Sequence, residues 1–446
     1  MGAVYLVVGV VLVLGVMVLI HEWGHFVAAR LCGVRVDVFS IGFGPRLFGW
    51  KKGPTDYRVS ALPLGGYVRM AGQDLSEVDA GDKPPTGAPD ELMSKSRWKR
   101  AIISFAGPLV NLIFPIFLLI GLFAIAGVPY PAYLNAPVRV TGLPPSSSGA
   151  TSPLKIGDTI LSINGVSTPN WEQALLALKN VVPSSTVKME VENDGARQSI
   201  EVPVRNTSDP SQILGYAPIR PIIDQVAPGT PADRAGLREG DVITAVNGKP
   251  IRYWEQFMEA TQSSNGQPIT LQVNRSGKSV QLTVTPKRGA ADNGENVFQI
   301  GVARRDEIAY KHVAFSESVK FAGSETADTI GQTVDVVGKL FSGRVSIKQL
   351  QGPVGISHMA SQAVRRGPLD VISLMVLISI NLGILNLLPI PILDGGNILL
   401  LAIEGVMRRD LSLSFKERFV QVGLVFLLVI FAIVMYNDIL RRISHS

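Results

Sequence analysis

Residues Ala3 to Ile20 form an apolar run with no charged side chain, and the run ends directly in His21-Glu22-Trp23-Gly24-His25. A segment crossing hydrocarbon must satisfy its own backbone N–H and C=O groups, so this stretch is expected to be a helix. On a helix His21 and His25 fall one turn apart on one face, where two neutral imidazoles can bind one Zn²⁺ and Glu22 can act on the water beside it. Ionisable side chains at membrane depth are costly, and three together point to function rather than packing. The run lacks a basic leader segment, and signal cleavage would discard both histidines. A retained first transmembrane helix is therefore expected over 1–30.

Three further stretches are long and apolar enough to span a bilayer: Ala101 to Val128, Val371 to about Leu393, and Phe419 to Asn437. With 46% hydrophobic and only 17% charged residues in 446, the composition fits a membrane protein with soluble parts. Twelve Lys or Arg residues lie from Arg30 to Arg100, with Lys95, Arg97, Lys99 and Arg100 clustered beside the second span, which puts this loop on the cytoplasmic side. Arg408, Arg409, Lys416 and Arg418 put the loop between the third and fourth spans on that same side. Both termini and the central region then lie outside, although Arg441 and Arg442 run against this. These loop charges account for the net charge of +6, so no nucleic-acid partner is expected. The single cysteine, Cys32, leaves no intrachain disulfide and no Cys-based metal site.

The central region contains a repeat. Lys155-Ile-Gly-Asp-Thr-Ile-Leu-Ser-Ile-Asn-Gly165 aligns without a gap on Arg238-Glu-Gly-Asp-Val-Ile-Thr-Ala-Val-Asn-Gly248, and Trp171-Glu172-Gln173 aligns on Trp254-Glu255-Gln256 at the same offset. Two copies of one small domain follow. In each, a Gly-Asp turn leads into an apolar strand, an Asn-Gly turn, a helix starting near Trp171 or Trp254, and further strands. Both copies resemble PDZ domains, over roughly Val138 to Arg205 and Pro221 to Arg288. That resemblance implies small β-barrels able to grip an extended peptide along a strand edge, or to filter partners sterically. The second copy carries the family-like run Gly229-Thr-Pro-Ala-Asp-Arg-Ala-Gly-Leu237. The first has Ser146-Ser-Ser-Gly-Ala-Thr-Ser-Pro153 there, a weaker helix former, which puts its peptide groove in question more than its fold.

A catalytic zinc usually takes three protein ligands and keeps one position for water, so two histidines need a partner. The third span ends Asn386-Leu-Leu-Pro-Ile-Pro-Ile-Leu-Asp394-Gly395-Gly396, where two prolines remove amide donors and Asp394 stands nearly alone among apolar residues. A carboxylate there needs a proton, a partner or a cation, and Zn²⁺ on His21 and His25 would supply the cation. The alternative is a helix-end turn at the membrane surface. Depth is consistent with pairing: His21 lies roughly 27 Å along its helix from Ala3, and Asp394 nears the same end of its own span.

His21-Glu-x-x-His25 in a first span, with Asn386-x-x-Pro389-x-x-x-x-Asp394-Gly395 in a late one, resembles the site-2 protease family of intramembrane zinc metalloproteases. The paired PDZ-like copies between spans two and three are similar to its bacterial branch. The resemblance covers nearly the whole chain. It implies a zinc metalloendopeptidase of the bacterial inner membrane that cuts a single-span membrane protein, often an anti-sigma factor already shortened outside. The expected fold is a polytopic α-helical membrane protein with four transmembrane helices, a membrane-associated cytoplasmic β-loop and two small extracytoplasmic β-rich PDZ domains. The loop and hairpin occupy 31–100, the second span 101–128, the PDZ domains 129–210 and 211–290, a linker with an amphipathic helix 291–368, the third membrane segment 369–408, and the fourth span with tail 409–446.

On this resemblance, Glu22 is the catalytic base, and His21, His25 and Asp394 hold the metal. Gly107-Pro-Leu-Val-Asn111 matches a Gly-x-x-x-Asn element, which makes Asn111 a candidate substrate contact beside the metal, while Gly107 also permits close helix approach. Asn386 is a candidate to bond the substrate backbone, or else satisfies backbone groups freed by Pro389 and Pro391. Ser40-Ile-Gly-Phe-Gly-Pro45 and Tyr57 to Met70 read as short strands with glycine turns. They form either a sheet whose edge, near Gly65 and Gly66, receives unwound substrate or a plain surface hairpin. Gly352-Pro-Val-Gly-Ile356 is family-like without assigned chemistry, and His312 and His358 lie outside any ligand spacing. Peptide or protein ligands at the PDZ domains and the lipid bilayer complete the expected partners. Two rivals remain: a non-catalytic PDZ scaffold with a structural metal, which would not need Glu22, and a metal or proton transporter, which would normally show repeated membrane halves.

Overall fold

The computed structural model describes residues 2–73, 86–143, 153–179, 181–182, 185–204, 210–227, 229–290, 296–343 and 352–443. Most of the Ser146 to Pro153 run lies outside them. The chain divides into two compact units, one built from residues up to 128 together with those from 312 onward, the other from 129 to 311. Among the described residues four helices are long and apolar enough to cross a membrane: Val4–Leu31, Arg97–Ala126, Pro368–Asn386 and Ser414–Asp438.

The first of these combines α1, Gly2–Val10, and α2, Val16–Leu31, through a π-helical turn at Val11–Gly15. It leads into β1, Val36–Lys52, and β2, Thr55–Met70. This hairpin is folded over itself. Val38 to Ile41 pair with Gly66 to Arg69 on one side and with Asp56 to Val59 on the other, and the run from Arg46 to Lys52 pairs with Thr55 to Ser60. The order across the sheet therefore leaves 46–52 on one edge and 66–70 on the other. Buried Ser40 and Ser60 bond to each other in its middle at 2.9 Å. The next helix, α3, Arg97–Ala126, continues unbroken through Pro108 and Pro115. It meets α2 where side chains are smallest: a Cβ on Gly24 would stand 2.6 Å from the Ala106 carbonyl oxygen.

The second unit contains the two repeats. In the first, strands 159–163, 166–167, 186–193 and 196–203 form one antiparallel sheet beside α4, Trp171–Leu178. In the second, 242–246, 249–250, 269–275 and 278–284 repeat that order. Asn164 and Asn247 both take left-handed φ, 46° and 49°, in their Asn-Gly turns, and each side-chain Oδ1 accepts an amide from the neighbouring strand. Buried Asp158 and Asp241 hold the Gly-Asp turns by accepting backbone amides, with Asn193 as further partner in the first copy and Arg275 in the second. Each core closes on residues beyond the expected boundaries of 210 and 290. Buried Ile213 and Leu214 of α5, Ser211–Leu214, complete the first. The second, with α6, Pro231–Arg234, and α7, Trp254–Ser263, is completed by Ile300.

Back in the first unit, α8, Phe315–Phe341, packs Ala322 among Leu119 and Phe123 of α3. α9, Pro353–Arg366, lies across the first span, where a Cβ on Gly9 would collide with the Ala360 backbone. Then come α10, Pro368–Asn386, α11, Asp394–Met407, and α12, Leu413–Ile443. The expected single membrane segment over 369–408 is thus two helices. Pro389 and Pro391 supply no N–H, Ile392 turns to φ 80°, and the helix that stops at Asn386 restarts only at Asp394.

Candidate metal centre

His21 and His25, one turn apart on α2, direct Nε2 atoms 3.1 Å from each other. Asp394, the first residue of α11, faces both: Oδ2 lies 3.2 Å from His21 Nε2 and Oδ1 3.4 Å from His25 Nε2. One ligand atom from each residue falls within 4.8 Å of the others. His21 and His25 are 7% and 9% exposed, so the cluster is buried rather than on a surface. The chain builds this with small residues. A Cβ on Gly107 would overlap the His25 ring, and Cβ atoms on Gly395 and Gly396 would strike the carbonyl oxygens of Leu388 and Ile390. Only glycine lets α3 approach the imidazole and lets α11 start directly beneath the turn that ends α10.

The ring nitrogens on the far side decide whether a metal fits. If both Nε2 lone pairs point to one ion, each Nδ1 must carry a proton and needs an acceptor. His25 Nδ1 has one, the Ile103 carbonyl oxygen at 2.8 Å. His21 Nδ1 faces the side-chain amide of Asn111 at 3.3 Å, and the buried Asn111 Oδ1 has no hydrogen-bond partner among the described residues. With that amide turned over, Oδ1 accepts the His21 Nδ1 proton and both groups are satisfied. Two imidazoles, each facing a second group, and one carboxylate make a donor set that fits a catalytic zinc site with a position left open.

Asn111 was expected as a substrate contact beside the metal. It is fully buried and meets His21, and Ser379 Oγ–H donates to its backbone oxygen at 2.8 Å, a place suited to orienting a histidine and not open to substrate. Asn386, the last residue of α10, does reach the open side, with Nδ2 3.4 Å from His21 Nε2. A cavity of about 370 Å³ opens beside the cluster, lined among others by Glu22, Asn386, Val68 and Met70. Gly66 lies at the adjoining sheet edge, its Cβ position 3.7 Å from Glu22 Cγ, while Gly65, at φ 130°, is packed against Phe43. His312 and His358 take no part in the cluster.

Ile103 and Glu404 were not singled out from the sequence. Ile103, Gly107 and Asn111 recur every four residues on α3 and present an acceptor, a gap and an amide to the two histidines, a face visible as spacing but not as chemistry. Glu404 lines the same cavity and gathers cations from α3 and α12. Its signal was its isolation, as the one ionisable residue between Asp394 and Arg408.

Residues 9–430 match Peptidase family M50. A putative zinc metalloprotease of Vibrio cholerae is 33% identical over 97% of this chain and 97% of its own length. The regulator of sigma-E protease RseP of Escherichia coli is 32% identical, again over 97% of each. Among solved structures, the PDZ domain of the SdrC-like protein Lmo2051 of Listeria monocytogenes aligns with 20% of this chain and 90% of its own at 19% identity and a TM-score of 0.17.

Proposed function

The chain belongs to Peptidase family M50, the site-2 protease family, and from that premise we propose that His21, His25 and Asp394 hold its zinc while Glu22 is the general base of an intramembrane peptide hydrolysis. The observation that carries this reading is the convergence of three ligand atoms at the end of an uncharged helix, beside a glutamate and an open cavity. When bound, zinc acidifies a water and polarises the scissile carbonyl. Glu22 takes the proton of the attacking water and delivers it to the leaving amine. Ile103 and Asn111 keep the histidines in the tautomer that binding requires.

A substrate helix hides its carbonyls in its own hydrogen bonds, so it must unwind before it can be cut. The sheet edge 66–70 supports a place for it: the strand pairs inward with Val36 to Ile41, and no described strand covers its outer side. An unwound segment adding there would run past Glu22, with Asn386 available to its backbone. The substrate we propose is a single-span membrane protein of anti-sigma-factor type, already trimmed outside. The PDZ-like repeats serve as peptide readers or as a size filter on the extracytoplasmic face of the inner membrane, and the basic loops and catalytic end lie toward the cytoplasm.

A scaffold with a structural metal is the second reading, but it gives no reason for Glu22 to line an open cavity beside the donors. The test is cleavage of a tagged, outwardly truncated single-span substrate by purified wild type and Glu22→Gln, with zinc quantified in both. We expect equal zinc and a loss of cleavage by a factor of about 10² to 10⁴ in the variant. Equal cleavage would remove Glu22 from the mechanism.

A further inference from the structure

The C-terminal end of α11 carries a second buried charge that the reaction does not use. Glu404 is 1% exposed. Its Oε1 accepts from Lys416 Nζ at 3.1 Å and from the Leu411 amide at 3.1 Å, and its Oε2 meets Arg100 at 3.3 Å and Arg97 at 3.9 Å. Arg97 is held in turn by Asp410 at 2.9 Å. One carboxylate thus ties the first turn of α3, the loop after α11 and the first turn of α12 to a single point. Removed from water, such a group is tolerated only while every partner stays in place.

The other end of α11 is held just as tightly. Gly395 and Gly396 abut the carbonyls of Leu388 and Ile390, so the helix cannot move further under that turn. Ten helical steps lead from Asp394 to Glu404, about 15 Å of rod with no proline or insertion between them. A rod stopped at one end and clasped at the other has a single axial position, and that position sets the reach of Asp394 toward His21 and His25. We infer that Glu404 is a positioning residue for the metal donors: its clasp holds Asp394 in place through α11. This rests on the ligand assignment proposed above.

Charge and position at Glu404 can be separated by substitution. Glu404→Asp keeps the charge but shortens the side chain by one carbon, about 1.5 Å. Restoring the clasp then requires α11 to shift, and Asp394 with it. Metal–ligand distances tolerate only about 0.2 Å. Full-length wild type, Glu404→Asp, Glu404→Gln, Lys416→Gln and Asp394→Asn would be purified in detergent. Zinc release to a chromophoric chelator would be timed well below the unfolding temperature, and thermal unfolding of the metal-free forms recorded separately.

We expect Glu404→Asp to release zinc at least about tenfold faster than wild type, within the range typical of lost outer-shell partners, with metal-free unfolding nearly unchanged. Lys416→Gln, which removes one strand of the clasp, should fall between them. If Glu404→Gln does not fold, these two variants decide the matter. Wild-type release rates in all folded Glu404 and Lys416 variants would reduce the clasp to a stability element and overturn the inference. Wild-type zinc retention by Asp394→Asn would instead withdraw the ligand assignment, and the inference with it.

Discussion

Gly107→Ala tests the metal centre without touching a ligand. A methyl at this position would stand 2.6 Å from His25 Cε1 and 2.8 Å from Cδ2, where ordinary contact begins at 3.4 Å. Cε1 must retreat by about 0.8 Å, the difference between the first and last of these distances, and Nε2, which the methyl would approach more closely still, by more. The ring has little room to do so, because Nδ1 is bonded to Ile103 and Nε2 faces Asp394 and His21. A shift near 1 Å costs roughly 10²-fold in rate when catalytic groups must be aligned, and zinc affinity should fall by about 10- to 100-fold. Gly121→Ala on the same helix is the control: its added Cβ meets nothing within 4 Å. The gain in helix propensity there should leave zinc unchanged and stability unchanged or raised by up to about 1 kcal/mol. Chelator competition measures the affinity, and cleavage of a truncated single-span substrate measures the rate. Wild-type zinc affinity in Gly107→Ala would refute the reasoning, since it would mean that the His25 ring is not held where the metal needs it.

Asn111→Leu removes the acceptor for His21 Nδ1–H and should release zinc about 10- to 100-fold faster, whereas Asn111→Asp retains an acceptor and should hold zinc close to wild type. Equal release from both variants would detach Asn111 from the tautomer. In the second repeat, burial raises the Glu255 carboxyl above its ordinary range, with Arg304, Asp306 and Tyr133 nearby, and its Oε2 has no hydrogen-bond partner among the described residues. A carboxyl whose folded pKa is raised adds stability below its unfolded pKa, about 4.3, and loses that contribution as pH rises through the folded value. Glu255→Gln should therefore unfold at a higher temperature than wild type at neutral pH, with the gap closing in acid. A gap independent of pH, followed by tryptophan fluorescence, would show that the charge is not the cause.

The sequence announced its spans because hydrocarbon tolerates so little charge, and the repeat because an Asn-Gly turn between apolar strands leaves few alternatives. Its errors arise where one residue serves an element distant in sequence. Pro389 and Pro391 were visible as helix breakers, but their consequence, a new helix opening on Asp394, depends on Gly395 and Gly396 fitting under the carbonyls of Leu388 and Ile390. The strand run 66–70 becomes an edge only because Val38 to Ile41 pair on both sides, a register no local pattern specifies.

Arg97, Arg100 and Lys416 were legible as charges marking one side of a membrane, and that reading is compatible with what they do, yet it treats them as solvated. In the fold they surround Glu404, and Arg100 and Lys416 keep only 10% and 13% of their side-chain surface exposed. Asn111 is the same case in miniature: its motif places it near the histidines, but only its burial, an orphaned Oδ1 and an amide set against His21 Nδ1 point to an orienting group over a substrate contact. Ligand identity can be written in a local motif because one helix turn sets the spacing of two histidines. The placing of Asp394 against them cannot, because it depends on a turn that Gly395 and Gly396 permit and on a helix whose other end is tied down about 15 Å away.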